Sequence, residues 1–321
     1  MTSSYADIKL AAARIKGLVD RTPVLTSDQL NQATGVSLFF KAEHLQKSGA
    51  FKARGAVNAV CSLESGQLIN GIATHSSGNH GTALARVGML FKIPTYVVVP
   101  SNALQIKKDV IAAYGARIIE CEPTLASRET TLSRVVADTG ATFIHPYDDN
   151  KIIVGAGTAA LEFVEQVKGL DVIMTPIGGG GLLSGASLVA EAEEISVYGA
   201  EPSGADDASR SLQSGELVMV HEPDTICDGL LTTVGVRNWK VIRHRVKDIL
   251  TVADQDTLNA MYLVWTRMKQ IVEPSAAVTL AAALKYRDLF KDQRVGLILT
   301  GGNVDPRVLD FQVRDDLGHL S

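Results

Sequence analysis

The chain has 321 residues, 46% of them hydrophobic, and a formal net charge of −4 at pH 7. At this length two lobes are expected rather than one continuous core. Its lysines and arginines are scattered rather than clustered, which excludes the charge pattern of a nucleic-acid binder or a polybasic membrane binder and makes a small molecule the expected partner.

Cysteine spacing and the lengths of the apolar runs indicate the compartment. Cys61, Cys121 and Cys227 are too far apart for a disulfide framework or a zinc motif. No apolar run reaches the roughly 18 residues of a membrane span, and the N-terminus does not resemble a signal peptide. We therefore predict a cytoplasmic protein with reduced thiols and no membrane association.

Short runs of β-branched and aromatic residues alternate with helical patterns along the chain. The runs predict strands at 38–41, 96–99, 117–121, 172–177, 197–200 and 295–300. Apolar residues at helical spacing predict helices at 155–167, 255–269 and 276–286. This alternation is typical of an α/β protein with mostly parallel sheets, which bind ligands at the ends of their strands.

The first glycine-containing motif, SGAFKARG at 48–55, contains a lysine. Lys52 stands directly before an alanine-rich helical stretch, so it is expected near a helix N-terminus, where the ammonium form is disfavoured. A lysine with a lowered pKa is a nucleophile for carbonyl groups. The alternative is a solvated lysine in the first turn of a surface helix.

The second motif, SSGNHG at 76–81, precedes a predicted helix. Its backbone N–H groups and hydroxyls are suited to hold a carboxylate at that helix N-terminus. The alternative is a serine N-cap followed by a turn, which requires no ligand. We expect His80 to be a structural hydrogen-bonding group in this loop.

The third motif is the tetraglycine segment at 178–181, which follows the predicted strand ending at Ile177 and opens a helix. Four glycines leave backbone N–H groups free to converge on a phosphate. The spacing matches neither the dinucleotide-binding fingerprint nor the Walker A motif. A tight strand-to-helix turn, the alternative, hardly requires four glycines, so the motif predicts a phosphate site.

A nucleophilic lysine, a carboxylate loop and a phosphate site are what a pyridoxal-phosphate enzyme requires. The stretches SGAFKARG, SSGNHG, GGGGLLSG and LTGGNVD resemble the serine racemase and threonine/serine dehydratase branch of the fold-type II, or tryptophan synthase β-like, pyridoxal-phosphate enzymes. The resemblance extends over nearly the whole chain. Cysteine synthases differ, because an acidic residue follows their lysine where this chain has Ala53.

This resemblance implies two open, twisted α/β lobes with the cofactor in the cleft between them. Residues 1–67 and 148–321 are expected to form a large, discontinuous cofactor-binding domain. Residues 68–147 are expected to form a small domain that carries the substrate loop. The resemblance also implies a homodimer.

The resemblance assigns roles to individual residues. Lys52 becomes the Schiff-base lysine, Phe51 packs beside the cofactor ring, and Asn79 donates a hydrogen bond to the phenolic oxygen of the cofactor. Thr300 faces the pyridine nitrogen, and a neutral hydroxyl there favours rapid elimination or reprotonation; without the resemblance, Thr300 would be read as the end of a buried strand. The residues expected to bind the phosphate are Gly178, Gly179, Gly180 and Gly181.

Ser77 is the residue that bears most on the reaction outcome. Serine racemases have a serine here as the acid/base on the face opposite the lysine, and threonine dehydratases commonly have alanine. Some dehydratases of this branch, including hydroxyaspartate-specific ones, also have serine. The residues implied in substrate binding are Ser76, Ser77, Asn79, His80, Arg128 and Thr232, although Arg128 also fits a surface helix arginine.

An acidic cluster follows the predicted strand at 197–200. Hard cations such as Mg²⁺ or Ca²⁺ prefer carboxylate and carbonyl oxygens. The cluster is similar to the divalent-metal site of the family, in which Glu201, the Ala205 carbonyl and Asp207 would be ligands. Taken alone, it is also typical of a solvated acidic turn.

The predicted function is β-elimination of a small L-β-hydroxy amino acid, either serine, threonine or 3-hydroxyaspartate, to a 2-oxo acid and ammonia. Serine racemisation is the main alternative, and Ser77 permits both. A non-catalytic binding protein of the same fold would be expected to lose Lys52 or the tetraglycine segment, and this chain has both. Ala156 and Cys227 depart from the usual family pattern and leave the substrate preference open.

Overall fold

The computed structural model describes residues 3–76, 78–220 and 222–305. Its strands are β1 (Val24–Leu25), β2 (Ser37–Lys41), β3 (Ile72–His75), β4 (Thr95–Pro100), β5 (Arg117–Cys121), β6 (Thr142–Phe143), β7 (Val172–Pro176), β8 (Ser196–Pro202), β9 (Asp248–Val252) and β10 (Arg294–Ile298). They form two sheets. One has the strand order β1-β2-β10-β7-β8-β9, and the other has the order β5-β4-β3-β6.

Helices separate most of the strands. They are α1 (Tyr5–Ile15), α2 (Asp28–Thr34), α3 (Lys52–Cys61), α4 (Ser65–Leu68), α5 (Asn79–Phe91), α6 (Gln105–Ala113), α7 (Leu125–Thr139), α8 (Asn150–Gln166), α9 (Gly181–Ala192), α10 (Asp207–Ser214), α11 (Val236–Arg245), α12 (Asp254–Met268) and α13 (Pro274–Lys285). None of the helices within the described ranges is long and apolar enough to cross a membrane.

The predicted α/β class with parallel sheets is confirmed. Apart from the antiparallel pair of β1 and β2, neighbouring strands in both sheets are parallel. Each predicted strand overlaps an observed one, and the three predicted helices correspond to α8, α12 and α13. Four observed strands, β1, β3, β6 and β9, were not predicted.

The two sheets divide the chain in three segments. Strands β3 to β6 form the four-stranded sheet, and the remaining strands form the six-stranded sheet. We propose on this basis that 68–147 is the small lobe, and that 1–67 and 148–321 form the large one. Ligand-binding loops are expected where the carboxyl ends of the parallel strands face the cleft between the sheets.

Glycines bring the helices that border the cleft into backbone contact. A Cβ on Gly155 of α8 would lie 2.8 Å from the Cα atom of Gly55 in α3, and one on Gly185 of α9 would lie 2.6 Å from the Cα atom of Gly157 in α8. Larger side chains would push these helices apart. The close contact fixes the N-terminal ends of α3 and α9 relative to each other.

A buried network of charged side chains fixes the position of α3. Arg54 donates hydrogen bonds to Glu43 at 2.7 Å and to Glu162 at 2.8 Å, and Lys41 donates to Glu162 at 2.9 Å. Arg54, Glu43 and Lys41 are fully buried. Removing one member would leave an unpaired buried charge, which typically costs about 3–5 kcal/mol. The network therefore holds the first turn of α3, where Lys52 lies, in one position.

Candidate active site

A cavity of about 390 Å³ lies where the two sheets face each other. The loops that follow β3, β7 and β10 contribute to its walls. Its volume lies within the range of small-molecule and cofactor sites, roughly 300–1,000 Å³. The predicted site residues that line it are Phe51, Lys52, Ser76, Asn79, His80, Arg128, Gly178, Gly179, Gly180, Gly181, Thr232 and Thr300.

Lys52 is the first residue of α3 and points into this cavity. Its Nζ donates a hydrogen bond to the carbonyl oxygen of Pro146 at 2.9 Å and lies 5.2 Å from the centre of the Phe51 ring. Burial lowers the pKa of Lys52 to about 8, against the opposing influence of Glu273. An appreciable fraction of this amine is therefore neutral, and nucleophilic, near neutral pH.

The tetraglycine segment turns from β7 into α9. Gly180 has a φ of 89°, in the left-handed region that favours glycine. A Cβ on Gly179 would overlap the ring of Tyr147, and one on Gly178 would lie 3.0 Å from the Cα atom of Leu230. The first N–H groups of α9, from Gly181 onward, have no acceptor within the helix, and Gly181 lines the cavity, so these groups are suited to bind an anion.

The loop between β3 and α5 forms another wall. The Ser76 hydroxyl accepts a hydrogen bond from the Gly78 N–H at 3.3 Å, and α5 begins at Asn79. His80 is almost completely buried, and burial, reinforced by Lys52, keeps its pKa well below the usual value, so the imidazole is neutral. Ser77, the predicted acid/base, lies outside the described residues.

Thr300 lies beside Lys52 because the two segments pair. The Phe51 N–H donates a hydrogen bond to the Thr300 carbonyl at 2.9 Å, and Thr300 is 5% exposed. This contact places the end of β10 next to the start of α3. Thr300 therefore lies in the cavity wall beside Lys52, as predicted, although the two residues are far apart in sequence.

Arg128, on α7, and Thr232, in the segment before α11, also line the cavity. Arg128 lies in the first turn of α7, and its Nε is buried without a hydrogen-bond partner in the described part of the chain. Thr232 interacts with the Tyr147 hydroxyl, which moderates the rise that burial produces in the tyrosine pKa. Arg128 therefore lines the cavity and has a donor that no described residue satisfies.

Among the cavity residues that had no predicted role are Lys107, Tyr147, Asp228 and Glu273. Lys107 on α6 and Asp228, in the segment between β8 and β9, form an ion pair. Glu273, next to Pro274 at the start of α13, is only 4% exposed. Sequence offered one signal for it, since an acidic residue before a helix-starting proline is a common N-terminal pattern, but that signal indicates no ligand.

The predicted metal ligands lie apart from the lining of this cavity, where β8 leads into α10. Glu201 accepts a hydrogen bond from the Ser209 N–H at 2.6 Å, and Asp207 accepts one from the Val234 N–H at 3.0 Å. Burial, with a contribution from Asp207, raises the pKa of Glu201 to about 9. Between 3 and 305, gaps excepted, no group of three or more His, Cys, Asp and Glu side chains could hold a metal. A cation between Glu201 and Asp207 would thus also require carbonyl oxygens.

A family model described as "pyridoxal-phosphate dependent enzyme" matches residues 15–301. The chain belongs to this family. A β-hydroxyaspartate dehydratase of Paracoccus denitrificans is 48% identical over 304 residues, which cover 94% of this chain and 96% of the relative. A serine racemase of Dictyostelium discoideum is 46% identical over 311 residues, 95% of this chain and 96% of the relative. The structure of maize serine racemase superposes with a TM-score of 0.93 at 40% identity, covering 96% of this chain and 95% of that one.

The cavity fits pyridoxal phosphate by its own chemistry. A lysine of lowered pKa suits a carbonyl carbon, and the glycine turn at the start of α9 suits a phosphate. Both lie in one cavity, with the apolar ring of Phe51 beside Lys52. The predicted branch, which includes serine racemases and dehydratases, is confirmed by the relatives.

Proposed function

We propose that this protein is an ammonia-lyase that removes the β-hydroxyl and the amino group of a small L-β-hydroxy amino acid, releasing a 2-oxo acid and ammonia. The observation that carries the proposal is the Lys52 amine, which has a pKa of about 8 and faces the same cavity as the tetraglycine turn. Such an amine serves both as a nucleophile toward a cofactor carbonyl and as a base near neutral pH.

Bound pyridoxal phosphate would supply an electron sink for the pair of electrons left when the α-proton departs. The phosphate would be held by Gly178 to Gly181 and the aldehyde carbon by Lys52. With the cofactor bound, the Lys52 Nζ would be the group in this cavity that accepts the α-proton. The β-hydroxyl would leave as water, and hydrolysis of the released enamine would yield the 2-oxo acid and ammonia.

The loop between β3 and α5 supports the binding of the substrate carboxylate. The first N–H groups of α5, from Asn79 onward, have no acceptor within the helix, and the partial positive charge of the helix N-terminus reinforces them. His80, in the same turn, is neutral and therefore carries no charge of its own. Water exclusion by the facing lobes would strengthen each of these interactions.

Arg128 favours a substrate with a second carboxylate. Its Nε donor is buried and unpaired among the described residues, and a carboxylate pairs well with a guanidinium. The β-hydroxyaspartate dehydratase of Paracoccus denitrificans, 48% identical, agrees with this choice. We therefore place 3-hydroxyaspartate before serine and threonine as a substrate.

A substrate panel tests the proposal directly. Cofactor-loaded protein is incubated with L-serine, L-threonine and each diastereomer of 3-hydroxyaspartate, and both 2-oxo acid and D-amino acid are quantified. We expect 2-oxo acid to predominate, with the highest kcat/KM for a 3-hydroxyaspartate. Predominant D-serine would instead establish a racemase, and no product from any of them would refute the proposal.

Racemisation is the second candidate, supported by the serine racemases of Dictyostelium discoideum and maize among the relatives. Racemisation requires a proton donor on the face opposite Lys52, and we propose Ser77 for that role. Elimination requires only one base.

Replacing Ser77 by alanine is therefore expected to lower D-amino acid formation by at least about a hundredfold, the usual contribution of a general acid, while L-substrates still give 2-oxo acid. Both rates are measured on the same sample, so differences in cofactor loading cancel. Ser76→Ala, one position earlier, is the matched control and should leave the ratio of the two products unchanged. Equal loss of both activities in the Ser77 variant would show that this hydroxyl binds substrate instead.

We propose that Glu201, the Ala205 carbonyl and Asp207 hold Mg²⁺ or Ca²⁺. Glu201 and Asp207 are both buried, and burial raises the pKa of Glu201 to about 9. A bound cation would stabilise the ionised forms of these two carboxyl groups.

We expect the melting temperature to rise by several degrees when Mg²⁺ is added at about 100 times its Kd, since that occupancy stabilises the folded state by about 2.7 kcal/mol. Glu201→Gln should abolish the rise, and Glu191→Gln, in an exposed ion pair on α9, should retain it. An unchanged rise in the Glu201 variant would place the cation elsewhere.

We further propose that the protein works as a cytoplasmic homodimer. The family resemblance supports the dimer. The free cysteines, of which Cys121 and Cys227 are buried, support a reducing compartment.

A further inference from the structure

Glu273 occupies the side of the cavity where the two lobes meet. Its carboxylate Oε1 accepts a hydrogen bond from Asn79 Nδ2 at 2.7 Å, which connects α13 of the six-stranded lobe with α5 of the other. A Cβ on Gly301 would overlap this carboxylate, so only glycine leaves room for it. The backbone is fixed as well, because the Glu273 N–H donates to the Gly301 carbonyl at 3.0 Å.

The same hydrogen-bond chain continues beyond Asn79. Asn303 Nδ2 donates one hydrogen bond to Asn79 Oδ1 and another to the carbonyl oxygen of Ser48, each at 2.8 Å. Asn79 thus accepts on its oxygen side and donates on its nitrogen side, which selects one orientation of its amide. One N–H of that amide is used by Glu273, and the second remains to donate into the cavity.

Several charged groups surround Glu273 and Lys52. Lys107 and Asp228 act on Glu273, and burial followed by repulsion from Asp228 raises the Glu273 pKa to about 8. Glu273 in turn raises the pKa of Lys52, which burial lowers. His80 and His145 also lie within electrostatic reach of Lys52, and burial lowers the pKa values of both, so neither adds a positive charge near neutral pH.

We infer that Glu273 is a positioning residue for Asn79. It orients the Asn79 amide so that the second N–H remains to donate to the bound cofactor. The inference rests on pyridoxal-phosphate binding in this cavity and is independent of which amino acid the enzyme acts on.

Two substitutions separate the hydrogen bond of Glu273 from its charge. Glu273→Gln removes the charge but keeps an oxygen that can accept from Asn79. Glu273→Ala removes both the charge and the acceptor. Glu165→Gln is the matched control, because Glu165 lies in an exposed ion pair with Arg21 and loses the same charge away from the cavity.

The measurement is the Kd of the full-length, cofactor-stripped protein for pyridoxal phosphate. Glu273→Gln should stay within about threefold of the wild type, whereas Glu273→Ala should bind roughly tenfold more weakly, because the Asn79 amide is no longer oriented. The Glu165 variant should match the wild type. Equal Kd values in the two Glu273 variants would overturn the effect on Asn79. If Glu273→Ala fails to fold by circular dichroism, Asn303→Ala, at an exposed position of the same chain of hydrogen bonds, tests the orientation of the Asn79 amide. Failure of the proposed lyase activity leaves this measurement intact, since it uses no amino-acid substrate.

Discussion

Lys52→Ala is expected to abolish both 2-oxo acid and D-amino acid formation, by more than about a thousandfold. Lys52 is the cavity amine with a pKa lowered to about 8, so its removal takes away both the carbonyl nucleophile and the base. The variant should also lose the absorbance of protein-bound pyridoxal phosphate after dialysis. Activity is measured by quantifying both products, and cofactor retention by spectroscopy.

The control for this variant is Lys47→Ala. Lys47 is close in sequence but lies in an exposed ion pair with Asp20, where removal of a charge costs little. It should retain cofactor and activity at wild-type levels. Substantial turnover in Lys52→Ala, with the control unaffected, would mean that another group performs the chemistry and that the assignment of Lys52 is wrong.

Gly179→Ala is expected to weaken pyridoxal phosphate binding by about tenfold to a hundredfold. The added methyl group would overlap the ring of Tyr147, which packs against the turn, so either the ring or the turn must move. Overpacking of this kind typically costs about 1–3 kcal/mol, and here it distorts the N–H groups that face the phosphate. The Kd for the cofactor, measured by fluorescence or absorbance titration, checks this.

A matched glycine is available elsewhere in the chain. A Cβ on Gly66, in the short helix α4, would meet no atom within 4 Å, and its φ is not in the left-handed region. Gly66→Ala should therefore leave cofactor affinity unchanged. If Gly179→Ala bound pyridoxal phosphate as tightly as the Gly66 variant, the tetraglycine segment would not be the phosphate site.

Local sequence signals were sufficient for the parts of the site that are built from one contiguous segment. The lysine of the 48–55 motif and the glycines at 178–181 both line the observed cavity, because each motif lies at the start of a helix, α3 and α9 respectively. Four strands escaped prediction. β1 and β6 have two residues each, and β3 has four, of which only Ile72 is large and apolar. β9 does contain a run of β-branched and apolar residues, Ile249 to Val252, and this signal was missed.

The contacts of Glu273 and Tyr147 show the opposite case. Glu273 meets Asn79, and Tyr147 meets Gly179, only because the chain crosses between the sheets and returns. No periodicity or spacing around Glu273 indicates a ligand, since its acidic character also suits an ordinary helix start. In the sequence, Arg128 is likewise typical of a surface arginine. Only the folded structure shows that its Nε is buried.

The sequence by itself determined the α/β class, the nucleophilic lysine, the phosphate turn and the family, because each depends on residue types and spacing within a short stretch. Tertiary structure alone decided that Asn79 meets Glu273, that Tyr147 leaves room only for glycine at 179, and that Arg128 lines the cavity. These features depend on distances between residues far apart in the chain, and burial is what turns those distances into shifted pKa values. Charge and proximity in the folded cleft, rather than any one motif, therefore set the chemistry of this site.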